Sequence, residues 1–321
     1  MRGNPKISVA CANILDFDCD ILILKYAQWW HGADLTVATK LDVGKRWDVG
    51  GNFVAPGDFR LINAENKLGA DHVLFEGVPE LRELNYKSIR LFAKSAIMHV
   101  HESVPDARHI AMTVHGVNIG MDERESFLAQ LAGVWEAMAN QAVLPKIEKI
   151  SFVEKNKARA GRLAKLLDEN FFPRASVNEE QISPSISQAG STKEKAHIFV
   201  AMPFTPEMED VYIFGIQGPI QEAGFLCERV DQAVFTGDIV ERIKSRIETA
   251  KMVIADLTGA NANVYLEVGY AWGKNVDALL LCRNIEDLRF DVKGQRCLAY
   301  SSISDLNKKL SAELKVLAAK T

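Results

Sequence analysis

The sequence predicts an α/β protein in two parts, a C-terminal doubly wound parallel sheet and an N-terminal three-layer α/β/α domain with a mixed sheet. Three observations predict it. After residue 196, segments that are apolar throughout alternate with amphipathic helical segments, the pattern of a parallel sheet covered on both faces. Before residue 172 the alternation recurs less evenly, as a mixed sheet would give. Between the two lies PRASVNEEQISPSISQAGSTKEKA, rich in Ser, Pro and Glu and without a large apolar cluster, which is the composition of a linker. A chain of 321 residues holds two domains at roughly 150 residues each. The expected boundaries are 1–172, a linker at 173–196, and 197–321.

In the N-terminal part, KISVACANIL, CDILILKYA, GDFRLINA, DHVLFEGV, ARHIAMTVHG and EKISFVEK read as strands. NYKSIRLFAKSAIMHVHES, ERESFLAQLAGVWEAMANQ and KARAGRLAKLLDENF read as helices. Trp29-Trp30-His31 is either an exposed patch or packing, and packing is the commoner use of paired aromatics. The basic residues between Lys155 and Lys165 recur at helical spacing and read as a solvated face.

In the C-terminal part HIFVAMPF is a strand, and EMEDVYIFGIQGPIQEAG a helix interrupted near Gly218-Pro219, because proline removes a helical donor. FLCERV is the second strand. GDIVERIKSRIETAK places Ile239, Ile243 and Ile247 on one helical face. MVIADLT, ALLLCR and RCLAYSS are the remaining strands, with NVYLEVGYAWGK and SDLNKKLSAELKVLAAK as helices. The succession is that of a flavodoxin-like sheet.

Composition excludes several classes. A formal net charge of -4 carries no nucleic-acid footprint. The apolar runs fall far short of the roughly 20 residues of a membrane span, and the first residues lack a signal core, so the expectation is a cytoplasmic protein with neither membrane nor nucleic acid as partner. Five cysteines without paired spacing (Cys11, Cys19, Cys227, Cys282, Cys297) predict reduced, mostly buried thiols. Six of seven histidines fall in the N-terminal part, and His99 and His101 lack the companions of a zinc site. No metal and no cofactor is expected. His115, at a predicted strand end, is the histidine to weigh for a ligand contact, against the commoner reading of a core or solvated side chain.

The stretch IADLTGANANVYLEVGYAWGKN concentrates the chemistry. In a doubly wound sheet ligands bind beyond the carboxyl ends of the strands. Those ends are Met202-Pro203-Phe204, Arg229 to Asp231, Asp256 to Asn263, and Arg283-Asn284. Glu267 stands alone among apolar residues in the first turns of the helix after the third strand, where a carboxylate can serve as nucleophile or as partner to a developing cation. The plainer readings are a dipole contribution from Glu267, turn donors satisfied by Asp256, and Asn261 or Asn263 as helix cap.

HIFVAMPF, Arg229-Val230-Asp231, GDIVERI, VIADLTGANANVYLEVGYAWGK and RFDVKGQRCLAY resemble, in that order, the nucleoside 2-deoxyribosyltransferase-like proteins, a superfamily close in fold to the bacterial TIR-type NAD glycohydrolases. The resemblance runs from Ala196 to about Tyr300 and is most specific in the Asn-x-Asn-Val-x-x-Glu-x-Gly-Tyr-Ala stretch. It implies that Glu267 is the catalytic carboxylate at ribosyl C1′. Where the transferases carry an Asp six residues earlier this chain has Asn261, which puts deoxyribosyl transfer in doubt and leaves Asp256 as candidate for the sugar hydroxyls. Met202, Pro203, Phe204, Arg229, Asp231, Asp256, Asn261 and Asn263 are the substrate-binding candidates, with Trp272 a further one for base packing or ordinary core.

GDFRLINAENKLGADHVLFEGVP, NYKSIRLFAKSA and ARHIAMTVHGVNIGMDERESFLAQLAGVWEAM resemble macro-type domains, although the Gly-rich ligand loop usual there is not visible. The resemblance implies a nucleotide ligand, with His115, Gly116 and Asn118 as sensor candidates. Together these readings give an N-glycosidase acting on NAD or a related nucleotide, regulated by a nucleotide second messenger. A homo-oligomer in bacterial anti-phage defence is the setting that analogy suggests. A nucleoside 2-deoxyribosyltransferase or unregulated nucleotide hydrolase, and a noncatalytic nucleotide-binding module, are the alternatives.

Overall fold

The computed structural model describes residues 5–43, 54–117, 119–139, 146–170, 195–230, 237–289, 292 and 294–319. The chain divides into two compact units, Met1–Val117 with Glu123–Lys193, and Asn118–Asp122 with Glu194–Thr321. The linker expected at 173–196 lies outside the described residues apart from Lys195 and Ala196.

The first unit is built on a six-stranded sheet of order β1-β6-β5-β2-β4-β3. Its strands are β1 (Lys6–Cys11), β2 (Cys19–Tyr26), β3 (Phe59–Asn63), β4 (Ala70–Gly77), β5 (His109–Thr113) and β6 (Lys149–Glu154). All pairings are parallel except β3 with β4, so the sheet is mixed as expected. Helix α1 (Gly32–Lys40) puts Val37 and Ala38 against Leu22, Leu24, Val73 and Phe75 on one face. The alternate residues of β2 and β4 face the other way, where α2 (Tyr86–Ser103) packs on β2, β3 and β4. Helices α3 (Glu123–Met138) and α4 (Lys157–Asn170) complete the three layers.

Helix α2 starts on a capping box: Asn85 accepts from Ser88 N while Ser88 Oγ receives the Asn85 amide. α2 and α3 approach closely at Gly133, where an added Cβ would stand 2.0 Å from the Arg90 carbonyl oxygen. Helix α1 has no pattern that would have announced it. It opens on Gly32 at φ +54° without a side-chain cap, and residues 27–32 present aromatics instead of turn chemistry. Of those aromatics Trp29 is 58% exposed, whereas Trp30 packs edge-on to Tyr26 and Phe75. The basic stretch on α4 is not simply solvated, since Arg159 and Arg162 both bind Glu123.

The second unit carries five parallel strands in the order β11-β10-β9-β7-β8: β7 (His197–Ala201), β8 (Leu226–Glu228), β9 (Met252–Asp256), β10 (Ala278–Cys282) and β11 (Cys297–Ala299). In chain order this is 2-1-3-4-5, the doubly wound arrangement, with its switch point between β7 and β9. One face packs on the helical run α5 (Pro206–Asp210), a π-helical segment (Val211–Gln217) and α6 (Gly218–Glu222), and on α9 (Ile303–Ala318), around Ile198, Val200, Ile254 and Leu281. The other face carries α8 (Ala262–Gly273), against which α7 (Gly237–Glu248) packs.

The interruption expected at Gly218-Pro219 is thus a π segment ending there. Pro219 offers no N–H and its ring would strike the carbonyl of residue 215 in an α-helix, and widening the turns avoids both. Residues 119–122 are part of this unit. Ile119 bridges antiparallel to Val230, Arg242 Nε donates to the Ile119 carbonyl at 2.6 Å, and the buried Asp122 carboxylate accepts from Cys227 N at 3.0 Å and Gln221 at 2.8 Å.

Candidate functional site

At the carboxyl edge of the second unit's sheet the chain leaves β7 toward α5 on one face and β9 toward α8 on the other, so the strand ends are left open between the two departures. The candidate residues distribute between the two sides of that opening.

Glu267 belongs to α8, whose buried face is Val264, Glu267, Val268 and Ala271. It is 7% exposed and is the only carboxylate on the helix. Lying five residues past the helix start, it sits about 7 Å along the axis from it at 1.5 Å per residue, still in the half of the helix nearest the strand ends. Asn261 is the N-cap, accepting from Asn263 N at 2.9 Å, and the capped turn is held by Gly259 at φ +77° and Ala260 at φ +51°. A non-glycine residue in that region stores about 1 kcal/mol of strain beside the opening. Trp272, at the far end of α8, is 37% exposed and belongs neither to the core nor to the strand-end opening.

On the opposite side Arg229 is the organising group. Its guanidinium lies 3.7 Å from the Tyr212 ring centroid and 4.7 Å from that of Phe204, pairs with Glu209 at 2.7 Å, and approaches Met202 Sδ at 3.7 Å. Stacking and a carboxylate partner together fix the planar head. Burial pushes the Tyr212 hydroxyl well above its ordinary range, so the ring beneath the cation stays neutral. Met202 and Pro203 are buried and Phe204 half-buried.

Asp256 is 0% exposed. Tyr300 Oη donates to Oδ2 at 2.8 Å and Thr258 N to Oδ1 at 3.0 Å, while Arg283, whose own amide donates to Thr258 Oγ1, adds favourable charge. Burial nonetheless dominates and raises the carboxyl above its usual range. Asp256 follows the alternation of Ile254, and both it and Tyr300 belong with the α9 face, whereas Glu267 lies under α8. The structure therefore brings Met202, Phe204 and Arg229 together, and Asn261 with Asn263, but leaves Asp256 and Glu267 on opposite faces of the sheet. Asp231 lies outside the described residues.

The first unit has its own strand-end cluster. His115 follows β5, is buried, and meets Phe92 edge-on with ring centroids 4.7 Å apart. Among the described residues its Nε2 has no hydrogen-bond partner, and burial together with the Lys25 charge holds the ring neutral, well below the ordinary histidine range. Gln130 fixes the loop by accepting from His115 N and donating to the Thr113 carbonyl. Gly116 stands at φ +96°, a conformation that favours glycine. Asn118 lies outside the described residues.

Sequence reasoning missed the pair beside this histidine. Lys25, near the end of β2, reaches Asp34 in the first turn of α1 at 2.5 Å, both side chains buried. Burial raises the Asp34 carboxyl and the lysine opposes that shift. One Lys in the otherwise apolar LILKYA was the available signal, since a lysine is seldom fully buried unless paired. Among the described residues no three His, Cys, Asp or Glu side chains are placed to hold a metal ion, and no helix is long and apolar enough to cross a membrane.

No protein-family model matches the chain, and no curated protein matches it. Among solved structures it is similar to a Trypanosoma brucei macrodomain in complex with ADP, at 13% identity and a TM-score of 0.39 over 50% of this chain and 67% of that one. It is also similar to the macro domain of ganglioside induced differentiation associated protein 2 (14%, 0.41, 50% and 82%) and to an Oceanobacillus iheyensis macrodomain with MES bound (12%, 0.39, 51% and 89%). At such identities and TM-scores the likeness assigns neither ligand nor reaction to this chain.

Proposed function

We propose that the second unit is an N-glycosidase that cleaves the base–ribose bond of NAD or a related nucleotide, with Glu267 as the carboxylate facing C1′. The observation that carries the reading is the burial of the one carboxylate on α8, the helix that follows β9, a strand bordering the switch point. Removing a carboxylate from water is costly, and a position beside a developing cation uses the charge. As the C1′–N bond breaks, its electron pair leaves with the base and positive charge grows on the ribose, where Glu267 opposes it. Water then adds to C1′ and releases a proton, giving ADP-ribose and nicotinamide when NAD is the substrate. Phe204, lying beside the fixed Arg229 head, is the surface for the base.

The first unit, in this reading, binds a nucleotide-like effector near His115, whose Nε2 has no partner among the described residues and is free to meet one. A ligand-regulated, homo-oligomeric effector of anti-phage defence is the corresponding cellular role. The placement of Asp256, sealed on the other face, favours a second reading in which the unit binds a nucleotide without turning it over.

The test is incubation with NAD and a panel of nucleosides and nucleotides, with and without cyclic-nucleotide activators, resolving released bases by chromatography. Nicotinamide release that falls about 10²–10³-fold in Glu267→Gln, with binding retained, supports the glycosidase. A variant as active as its parent removes Glu267 from the chemistry. Base exchange onto a second nucleobase identifies a transferase instead, and binding without release the noncatalytic module.

A further inference from the structure

All five cysteines are free thiols, and two of them touch: Cys297 Sγ lies 3.2 Å from Cys282 Sγ. Cys282 ends β10 and Cys297 begins β11, two parallel strands in which Leu280 faces Cys297 and Cys282 faces Ala299. Alternation puts Leu280, Cys282, Cys297 and Ala299 on one side of the sheet, so the two thiols are diagonal neighbours pointing the same way. A disulfide has a sulfur separation of about 2.0 Å, so the two sulfurs must approach by roughly 1 Å, through side-chain rotation and a small shift of β11 toward β10. That movement is available because β11 is an edge strand of only three residues, paired on one side alone. Cys282 is buried, whereas Cys297 is half-buried and meets a small oxidant first.

We propose that Cys282 and Cys297 are an oxidation site, forming a reversible intramolecular disulfide when the protein meets a hydroperoxide. The Cys297 thiolate attacks the peroxide oxygen, the O–O bond breaks, and Cys297 becomes a sulfenic acid as hydroxide leaves and takes a proton. Cys282 sulfur then displaces the sulfenic oxygen, which departs as water. Two S–H bonds are lost, one S–S bond is gained, and the hydroperoxide is reduced by two electrons. The diagonal placement leaves the product strained, and strained disulfides are the readily reduced ones, so a thiol reductant restores the pair.

The bond has a structural consequence one residue further on. Tyr300 directly follows β11, gives its amide proton to the Cys282 carbonyl at 2.9 Å and its hydroxyl proton to Asp256 at 2.8 Å. Drawing β11 toward β10 shifts the residue that completes the Asp256 partnership at the strand-end opening. Burial holds the Cys297 thiol at about 12, so its thiolate is scarce at neutral pH and the reaction accelerates roughly tenfold per pH unit toward alkaline conditions.

The experiment uses the full chain carrying Cys11→Ser, which removes the exposed thiol and its intermolecular products. The protein is treated with hydrogen peroxide at several pH values, blocked with an alkylating agent and mapped by mass spectrometry. The expected result is a peptide pair joined through Cys282 and Cys297, lighter by two hydrogens, formed faster as pH rises and lost on treatment with dithiothreitol. Cys297→Ser abolishes it and leaves Cys282 alkylated. Overoxidation of Cys297 to sulfinic acid beside an unreacted Cys282 overturns the proposal, as does survival of both thiols under conditions that oxidise Cys11 in the parent. The readout is covalent and does not depend on the glycosidase reading.

Discussion

Replacing Tyr300 with Phe removes one oxygen atom and tests how Asp256 is held. The hydroxyl donates at 2.8 Å to an oxygen of a carboxylate that has no exposure to solvent, so water cannot replace it without opening the structure. A hydrogen bond to a charged acceptor contributes about 1.5–3 kcal/mol. For a unit of this size that moves the melting midpoint down by about 5–10 °C. The effect has a pH signature. Burial raises Asp256 above its ordinary 3.8, so the group's favourable contribution is complete below about pH 4 and is lost as pH rises through the raised folded value. The tyrosine hydroxyl stabilises the ionised form and offsets part of that loss. Taking it away therefore widens the gap between Tyr300→Phe and its parent as pH rises from about 4 to about 8. Calorimetry of both proteins across that range measures the gap. An equal gap at both ends, or no gap, refutes the account of Asp256 as a buried acid steadied by Tyr300.

Two further substitutions address the first unit. Gly133→Ala gains about 1 kcal/mol of helix propensity on α3, yet its Cβ would meet the Arg90 carbonyl at 2.0 Å and Ala93 Cβ at 3.0 Å. We expect net destabilisation of about 1–3 kcal/mol in urea denaturation, because backbone on the facing helix has to move; a stabilised variant refutes the close approach. Glu76, itself buried and bonded at 2.8 Å to the partly exposed His99, is raised by burial from 4.5 to about 7, with Asp58 adding to the rise. Its contribution is present below about pH 4.5 and lost as pH rises through about 7, so Glu76→Gln flattens stability over that window and gains up to about 3 kcal/mol relative to the parent at its upper end. Parallel denaturation profiles for parent and variant contradict this.

What the sequence revealed and what it concealed follow from the range of the interactions. Strands such as ALLLCR and HIFVA carry their burial in consecutive apolar residues, so the two sheets were legible segment by segment. Helix α1 was not, because with Gly32 at positive φ and no capping side chain its one start signal is Asp34 in the first turn. Asp256 was legible as a strand end, but its partner Tyr300 is 44 residues away, just past β11, a strand separated from β9 by β10. The sidedness of the candidate site was equally hidden. Asp256 and Glu267 are 11 positions apart in the sequence, and only the crossing from strand to covering helix puts them on different faces. The thiols were expected to be mostly buried, and Cys11, at the end of the edge strand β1, is the exposed one.

The five residues at 118–122 give the second unit an unusual history. They are synthesised long before the rest of it, and Asp122 must wait for a partner 105 positions downstream. Closing so long a loop is slow compared with local pairing, so the β8 margin is among the late events of folding. A fragment beginning at Glu194 contains every strand of the second sheet yet lacks the acceptor for Cys227 N and the carbonyl that Arg242 holds. Dividing this chain at the stretch between its two sheets therefore does not yield two complete proteins, and a synthetic peptide of residues 118–122 is the piece the second would need returned.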